Sequence, residues 1–179
     1  MGHEIDRERG ATLVEGAIIL PLLVLIILSI MELGLAFKDF LTTDFAAKEG
    51  ARVGALAGND PEADCHIVQS IVAGYTGTDF DRLDSIQISQ VDSSGHLGAT
   101  NTWEFTGTDP TDCSPLHWTV VENWPSIGRD VALGPSAQLD ILAVTIDTRH
   151  DWVTSFPPWR GQINIVRTAI QRLEPESFE

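Results

Sequence analysis

The sequence predicts an α+β fold, in which a long N-terminal helix, apolar and then amphipathic, packs on a mainly antiparallel β-sheet. Three observations predict it. No residue in 16–31 is charged, inside a stretch that is apolar over 11–37. Residues 38–57 keep a helical composition and stop at Gly58, Asn59, Asp60 and Pro61, a run of helix breakers. From Ser85 onward the apolar residues alternate, in segments rich in β-branched and aromatic side chains. With 179 residues, 43% hydrophobic and 21% charged, the chain holds one ordinary domain with a sizeable core besides the apolar segment. A large multidomain enzyme is excluded.

The first element is the apolar one. As a helix, residues 11–37 measure about 40 Å at about 1.5 Å per residue, enough to cross a hydrocarbon core of about 30 Å. Pro21 lies inside it and predicts a kink, since proline removes a backbone donor and clashes with the preceding turn. Only Glu15 and Glu32 interrupt it. Three readings fit these residues. In the first the stretch is a removable signal peptide, cut at a small-x-small site near Gly34 and Ala36. In the second it is a plain single-pass anchor, and Thr12 with Glu15 forms a capping box at a helix start, where the dipole suits an acid. In the third, Glu8-Arg9-Gly10 ends a hydrophilic leader, and a cut after Gly10 makes Ala11 a new amino terminus. Glu15 then stands four residues along, on the same helix face as that amine, and neutralises it or a neighbouring chain's. A carboxylate in lipid costs about 2.5 to 3.5 kcal/mol, so a cationic partner has a physical purpose there.

Beyond the apolar run, Phe37, Phe40, Leu41, Phe45, Val53 and Leu56 are expected to form one buried side of the helix. Alanines and glycines thin that side, so another helix approaches closely. Pro61 is expected to open that second helix, with Ile67, Val68, Ile71 and Val72 as its apolar stripe and Gly74 and Gly77 at its end. Next comes a hairpin: Ile86, Ile88 and Val91 on one strand, a turn over 92–95, and a return strand over 102–107. Residues 117–124, 139–153 and 161–173 supply the remaining strands, giving four or five in all on the long helix. The end of the last segment is open to a helical ending near Arg172, and residues 174–179 read as a mobile acidic tail.

The formal net charge is -15 and the sequence pI near 4.5, which disfavours nucleic acid and anionic headgroups as partners. From Asn59 on there is no lysine, and six arginines face eighteen acids. A solvated surface accounts for this; adaptation to high salt or arginine-biased codon usage gives the same pattern. Cys65 and Cys113 both lie in this part. In a translocated domain they pair and contribute about 4 kcal/mol by the chain-entropy account; in a cytosolic one they stay unpaired in the core.

No H-E-x-x-H, C-x-x-C or G-x-S-x-G spacing links the histidines, cysteines or serines, and no catalytic residue is assigned. Cys65, His66, Cys113 and His117 have workable zinc spacing, against a disulfide with exposed histidines as the simpler expectation. Asp79, Asp81 and Asp84 lie close enough to chelate calcium but lack the glycine and distal glutamate of an EF-hand loop, so a solvated turn is expected. Neither metal nor cofactor is expected. Trp103, Trp118, Trp124, Trp152 and Trp159 are expected in the core, with Trp124 and Trp159, beside Pro157 and Pro158, as alternative contact anchors.

A leader ending in Gly10, a glutamate at the fifth position after it and an uninterrupted apolar helix carrying Pro21 resemble the type IV pilin and pseudopilin signature. Residues 11–34 followed by 46–55, "AAKEGARVGA", resemble the TadE-like proteins of the tight-adherence (Tad) pilus system. The resemblance covers the first third of the chain, and the rest only in layout. It implies cleavage by a prepilin peptidase between Gly10 and Ala11, and packing of the apolar helix with other pilins on a membrane assembly platform. Glu15 is implied as the assembly residue. Gly16 stands where the major Flp pilins carry a tyrosine, and with the chain's length this argues for a minor pilin or pseudopilin.

The resemblance divides the chain into a leader at 1–10, a transmembrane helix at 11–37, its amphipathic extension at 38–58 and an extracytoplasmic α+β domain at 59–179. Basic residues flank the span on both sides, Arg7 and Arg9 before it and Lys38, Lys48 and Arg52 after it. The N-in orientation therefore comes from the resemblance and the cysteine pair. The implied place is the cytoplasmic membrane before assembly and an extracellular pilus after it. The rival expectation from another class is a single-pass anchored binding module; a metal-dependent extracytoplasmic enzyme is the third.

Overall fold

The computed structural model describes residues 2–75, 78–131, 139–154 and 160–174. The element order is α1 (Gly2–Ala57), α2 (Ala63–Gly74), a short 3-10 turn (Thr78–Arg82), β1 (Leu83–Val91), β2 (Leu97–Phe105), β3 (Trp118–Val121), a second 3-10 turn (Ser126–Gly128), β4 (Ile141–Asp151) and β5 (Gln162–Arg172). The α+β class is as the sequence predicts: a long N-terminal helix and, among the described residues, a five-stranded antiparallel sheet ordered β3-β2-β1-β4-β5. Two compact units divide the chain, Met1–Lys38 with Trp152–Gly161, and Asp39–Asp151 with Gln162–Glu179.

In the first unit α1 begins at Gly2 and runs unbroken through residues 12–15. The capping-box reading of Thr12 and Glu15 therefore fails in the uncut chain. The backbone amides of that turn belong to a continuing helix and need no cap. Gly34 and Ala36, the small-x-small pair, also sit inside α1, as does Pro21.

The second unit holds the core, and α1 enters it by an unexpected face. Phe37 of the first unit and Phe45 and Leu56 of the second are exposed, Phe45 to 64%, and Phe40, Leu41 and Val53 are only half-buried. The buried side is instead the small one: Ala46, Ala47, Ala51 and Ala55, with Gly50 and Gly54 between them. A Cβ built on Gly50 meets Ile71 Cγ1 at 2.8 Å, and one on Gly54 meets Leu142 Cδ2 at 2.4 Å and Ile67 Cδ1 at 2.7 Å. Small residues win this face because two backbones and a sheet converge there, leaving no room for phenylalanine.

Helix α2 starts two residues later than expected, after Glu62, and buries Ile67, Val68, Ile71 and Val72 as its stripe. In the hairpin Ile86 faces Trp103 across the ladder and Ile88 faces Asn101. Its turn is closed by Asp92 Oδ1, which accepts from the backbone N–H of Ser94 (2.8 Å) and His96 (2.9 Å), while Gly95 supplies φ 85°. Strand β3 is shorter than the residues 117–124 proposed for it, and β5 stays extended to Arg172 instead of turning helical. Strands β1 and β4 pair at the centre of the sheet and bury Ile86, Ile88, Leu142, Val144 and Ile146 completely.

Polar ties hold α1 to this unit. Arg167 on β5 stacks over the Phe40 ring, 4.2 Å from its centroid, and donates to Asp44 at 3.2 Å. Asp39 takes Arg82 at 3.1 Å and His150 Nδ1 at 2.7 Å. Aromatic rings line the other end of the core: Trp118 packs edge-on against Trp103 (6.0 Å) and Phe105 (5.2 Å). Trp124 is buried too, so it is no contact anchor; Arg129 stacks on its ring at 4.4 Å. Pro157, Pro158 and Trp159, Gly77, and residues 175–179 of the acidic tail lie outside the described residues.

Candidate functional site

The site the sequence singled out lies on α1 of the first unit. From Leu13 to Phe37 this helix is apolar on every side and solvent-facing: Leu13, Ile18, Leu22, Ile26, Ile30 and Phe37 are all exposed. A helix apolar all round is stable in a core or in lipid, and none of the apolar window of this one is buried. It is long and apolar enough to cross a membrane. Gly10 and Ala11 lie within α1, and Glu15, one turn beyond Ala11, is exposed. Gly16 next to it has open space around it; a Cβ built there meets nothing within 4 Å.

One charged residue of this helix behaves differently. Glu32 is 0% exposed, and its carboxylate accepts from the backbone N–H of Val153 at 3.2 Å and from that of Thr154. Sequence reasoning noted Glu32 only as an interruption. Its signal was a second carboxylate in a run that otherwise excludes charge, but its partners are backbone amides more than a hundred residues away, which no pattern announces.

The second unit holds the other predicted residues. Cys65 on α2 and Cys113 between β2 and β3 form a disulfide, with Cα atoms 5.7 Å apart. Each sulfur is thereby taken by the other, so the zinc set with His66 and His117 does not form. His66 is exposed, and His117 Nδ1 accepts from the backbone N–H of Thr108 (3.1 Å) and Asp109 (3.2 Å). The aspartates proposed for calcium face an arginine. Arg149 pairs with Asp84 at 3.1 Å and donates to the Asp81 carbonyl at 2.8 Å, while the side chain of Asp79 lies outside the described residues. Among the described residues no group of three or more His, Cys, Asp or Glu is placed to hold a metal.

A buried polar network, also missed from sequence, fixes the loop after β3. Asn101 on β2 donates to Asp64 Oδ2 (2.7 Å) and to the Trp124 carbonyl (2.7 Å), and accepts from the N–H groups of Asn123 (2.8 Å) and Trp124 (2.6 Å). The same Asp64 pairs with the fully buried Arg129. Beside it an open cleft of about 530 Å³ has Glu62, Asp64, Asp112 and Glu122 among its walls.

The family model described as "TadE-like protein" matches residues 10–52. That segment is TadE-like. The match begins at Gly10, takes in Glu15, Pro21 and Glu32, and ends on the small-residue face of α1, so the resemblance read from those motifs holds over them. No curated protein and no solved structure matches the chain.

Proposed function

We propose that the chain is a minor pilin or pseudopilin of a Tad-type pilus or related secretion machine, acting through helix packing and not as an enzyme. The observation that carries this reading is the TadE-like helix itself: apolar on every side, exposed, and carrying an exposed carboxylate at the fifth position after Gly10. A prepilin peptidase cuts between Gly10 and Ala11, and the helix, held in the cytoplasmic membrane with its N-terminus inside, joins other pilins on the assembly platform. Glu15 pairs with the N-terminal amine of a neighbouring subunit, which stabilises a carboxylate that lipid alone disfavours. The disulfide supports an extracytoplasmic place for the domain, since such bonds persist in oxidising compartments.

The test has two readings. N-terminal mass determination on chain recovered from membranes is expected to give a chain beginning at Ala11. Glu15→Gln is expected to insert in the membrane normally and fail to assemble, scored by sheared-pilus yield. A chain beginning at Met1 with assembly untouched by Glu15→Gln turns the reading to a single-pass anchored binding module, whose ligand site the acidic cleft between Glu62 and Glu122 provides. A chain beginning near Phe37 makes it a secreted domain.

A further inference from the structure

Glu32 and the segment that follows β4 are each expensive to place in lipid alone, and they are placed together. A buried carboxylate in an apolar helix needs donors, and backbone N–H groups outside a helix or sheet need acceptors. Here the carboxylate of Glu32 and the amides of Val153 and Thr154 satisfy one another within the first unit. Position along the span matters as well. From Ala11 to Glu32 the helix measures about 32 Å at about 1.5 Å per residue, one hydrocarbon thickness of about 30 Å. Glu32 therefore falls at the interface opposite the Ala11 end.

The segment it holds has the composition of that depth. Val153 is 63% exposed and Trp152 beside it is half-buried. An amphipathic indole concentrates where acyl chains meet headgroups, and an exposed valine gains by entering the acyl side.

We propose that residues 152–154 are a second membrane contact, seated in the interface at the Glu32 end of the span and fixed there by the Glu32 carboxylate. The bilayer is the occupant, because the Glu32 carboxylate ties the exposed Val153 directly to the apolar helix that spans it. This rests on the membrane-spanning reading of α1, and the contact makes the domain's first segment after β4 a lipid-facing element instead of a solvent loop. Its chemistry calls for zwitterionic or neutral lipid more than anionic lipid, given the acidic chain.

The experiment uses the full chain, reconstituted in vesicles of phosphatidylethanolamine and phosphatidylcholine that carry nitroxide lipids labelled at a shallow or a deep acyl position. The native cysteines are bonded to each other, so Val153→Cys and Ile26→Cys each accept one environment-sensitive fluorophore. The Ile26 label is expected to be quenched by the deep nitroxide, and the Val153 label by the shallow one. Glu32→Ala is expected to abolish quenching at Val153 and leave Ile26 unchanged, with circular dichroism and the closed disulfide confirming that the variant is folded. Glu32→Gln, which keeps one acceptor oxygen, is expected to retain part of it. An unquenched Ile26 label overturns the span and the contact with it. A quenched Ile26 with an unquenched Val153 overturns the contact alone, and Val153 quenching that survives Glu32→Ala overturns the role of Glu32.

Discussion

Two carboxylates interrupt the same apolar helix and have opposite surroundings. Glu32 is sealed and already accepts two amides, while Glu15 stands exposed and is left for a partner from another chain in the reading proposed above. Cleavage after Gly10 sharpens the contrast: with Ala11 as the first residue, Thr12 and Glu15 come to a helix start, where the capping box absent from the uncut chain has amides to cap. A third carboxylate, Asp147 on β4, sits in a less comfortable place. Burial, and then the charge of Asp84 on the neighbouring strand β1, push its pKa above the ordinary 3.8, and its Oδ1 has no hydrogen-bond partner among the described residues. An acid whose folded pKa is raised is ionised more readily in the unfolded chain, so it costs stability as pH rises from about 3.8 through the folded value, and nothing below. Asp147→Asn is therefore expected to raise the thermal midpoint slightly at about pH 7 and to leave it unchanged at about pH 3. Equal gains at both pH values, measured by circular dichroism melts, would show that charge is not the cause.

The elements were largely legible from the sequence, and the misses have physical reasons. Periodicity found α2, the hairpin and the sheet because each buries one face with a regular spacing, as Ile67, Ile71, Ile86 and Ile88 do. The same reasoning placed the wrong side of α1 inward, because it weighed Phe45 and Leu56 above alanines and glycines. Hydrophobicity predicts a preference for burial, whereas the close approach of α2 and β4 sets how large the buried residue can be. The side chain of Glu32, the Asn101 network and the ring stack of Arg129 on Trp124 are tertiary pairings, with no local pattern to betray them. The close approach is testable. Gly54→Val adds three carbons against Leu142 and Ile67, both fully buried, and is expected to lower stability by about 1 to 3 kcal/mol, although valine is the better helix former. Chemical denaturation that finds the variant as stable as the parent would mean that α1 and α2 separate freely.

At the scale of the whole chain, a helix long and apolar enough to cross a membrane leads into a strongly acidic second unit that has a core of its own. That core is set by α2, the small face of α1 and the central strands, with the disulfide tying α2 to the connection between β2 and β3. The cross-link closes a span of 48 residues, and on the chain-entropy account a loop of that length contributes about 4 kcal/mol by restricting the unfolded chain. Native stabilities lie at about 5 to 15 kcal/mol, so the bond is a large share of the whole. The double variant Cys65→Ser with Cys113→Ser is accordingly expected to unfold at a clearly lower denaturant concentration, followed by the near-ultraviolet signal of Trp103, Trp118 and Trp124 in the core. Reduction of the parent chain is expected to shift its midpoint equally, because both treatments release the same loop while the buried stripe of α2 is unchanged. A midpoint that moves in the variant but not on reduction would trace the loss to the serine side chains themselves, and a midpoint that moves in neither would show that the loop is already ordered in the unfolded chain.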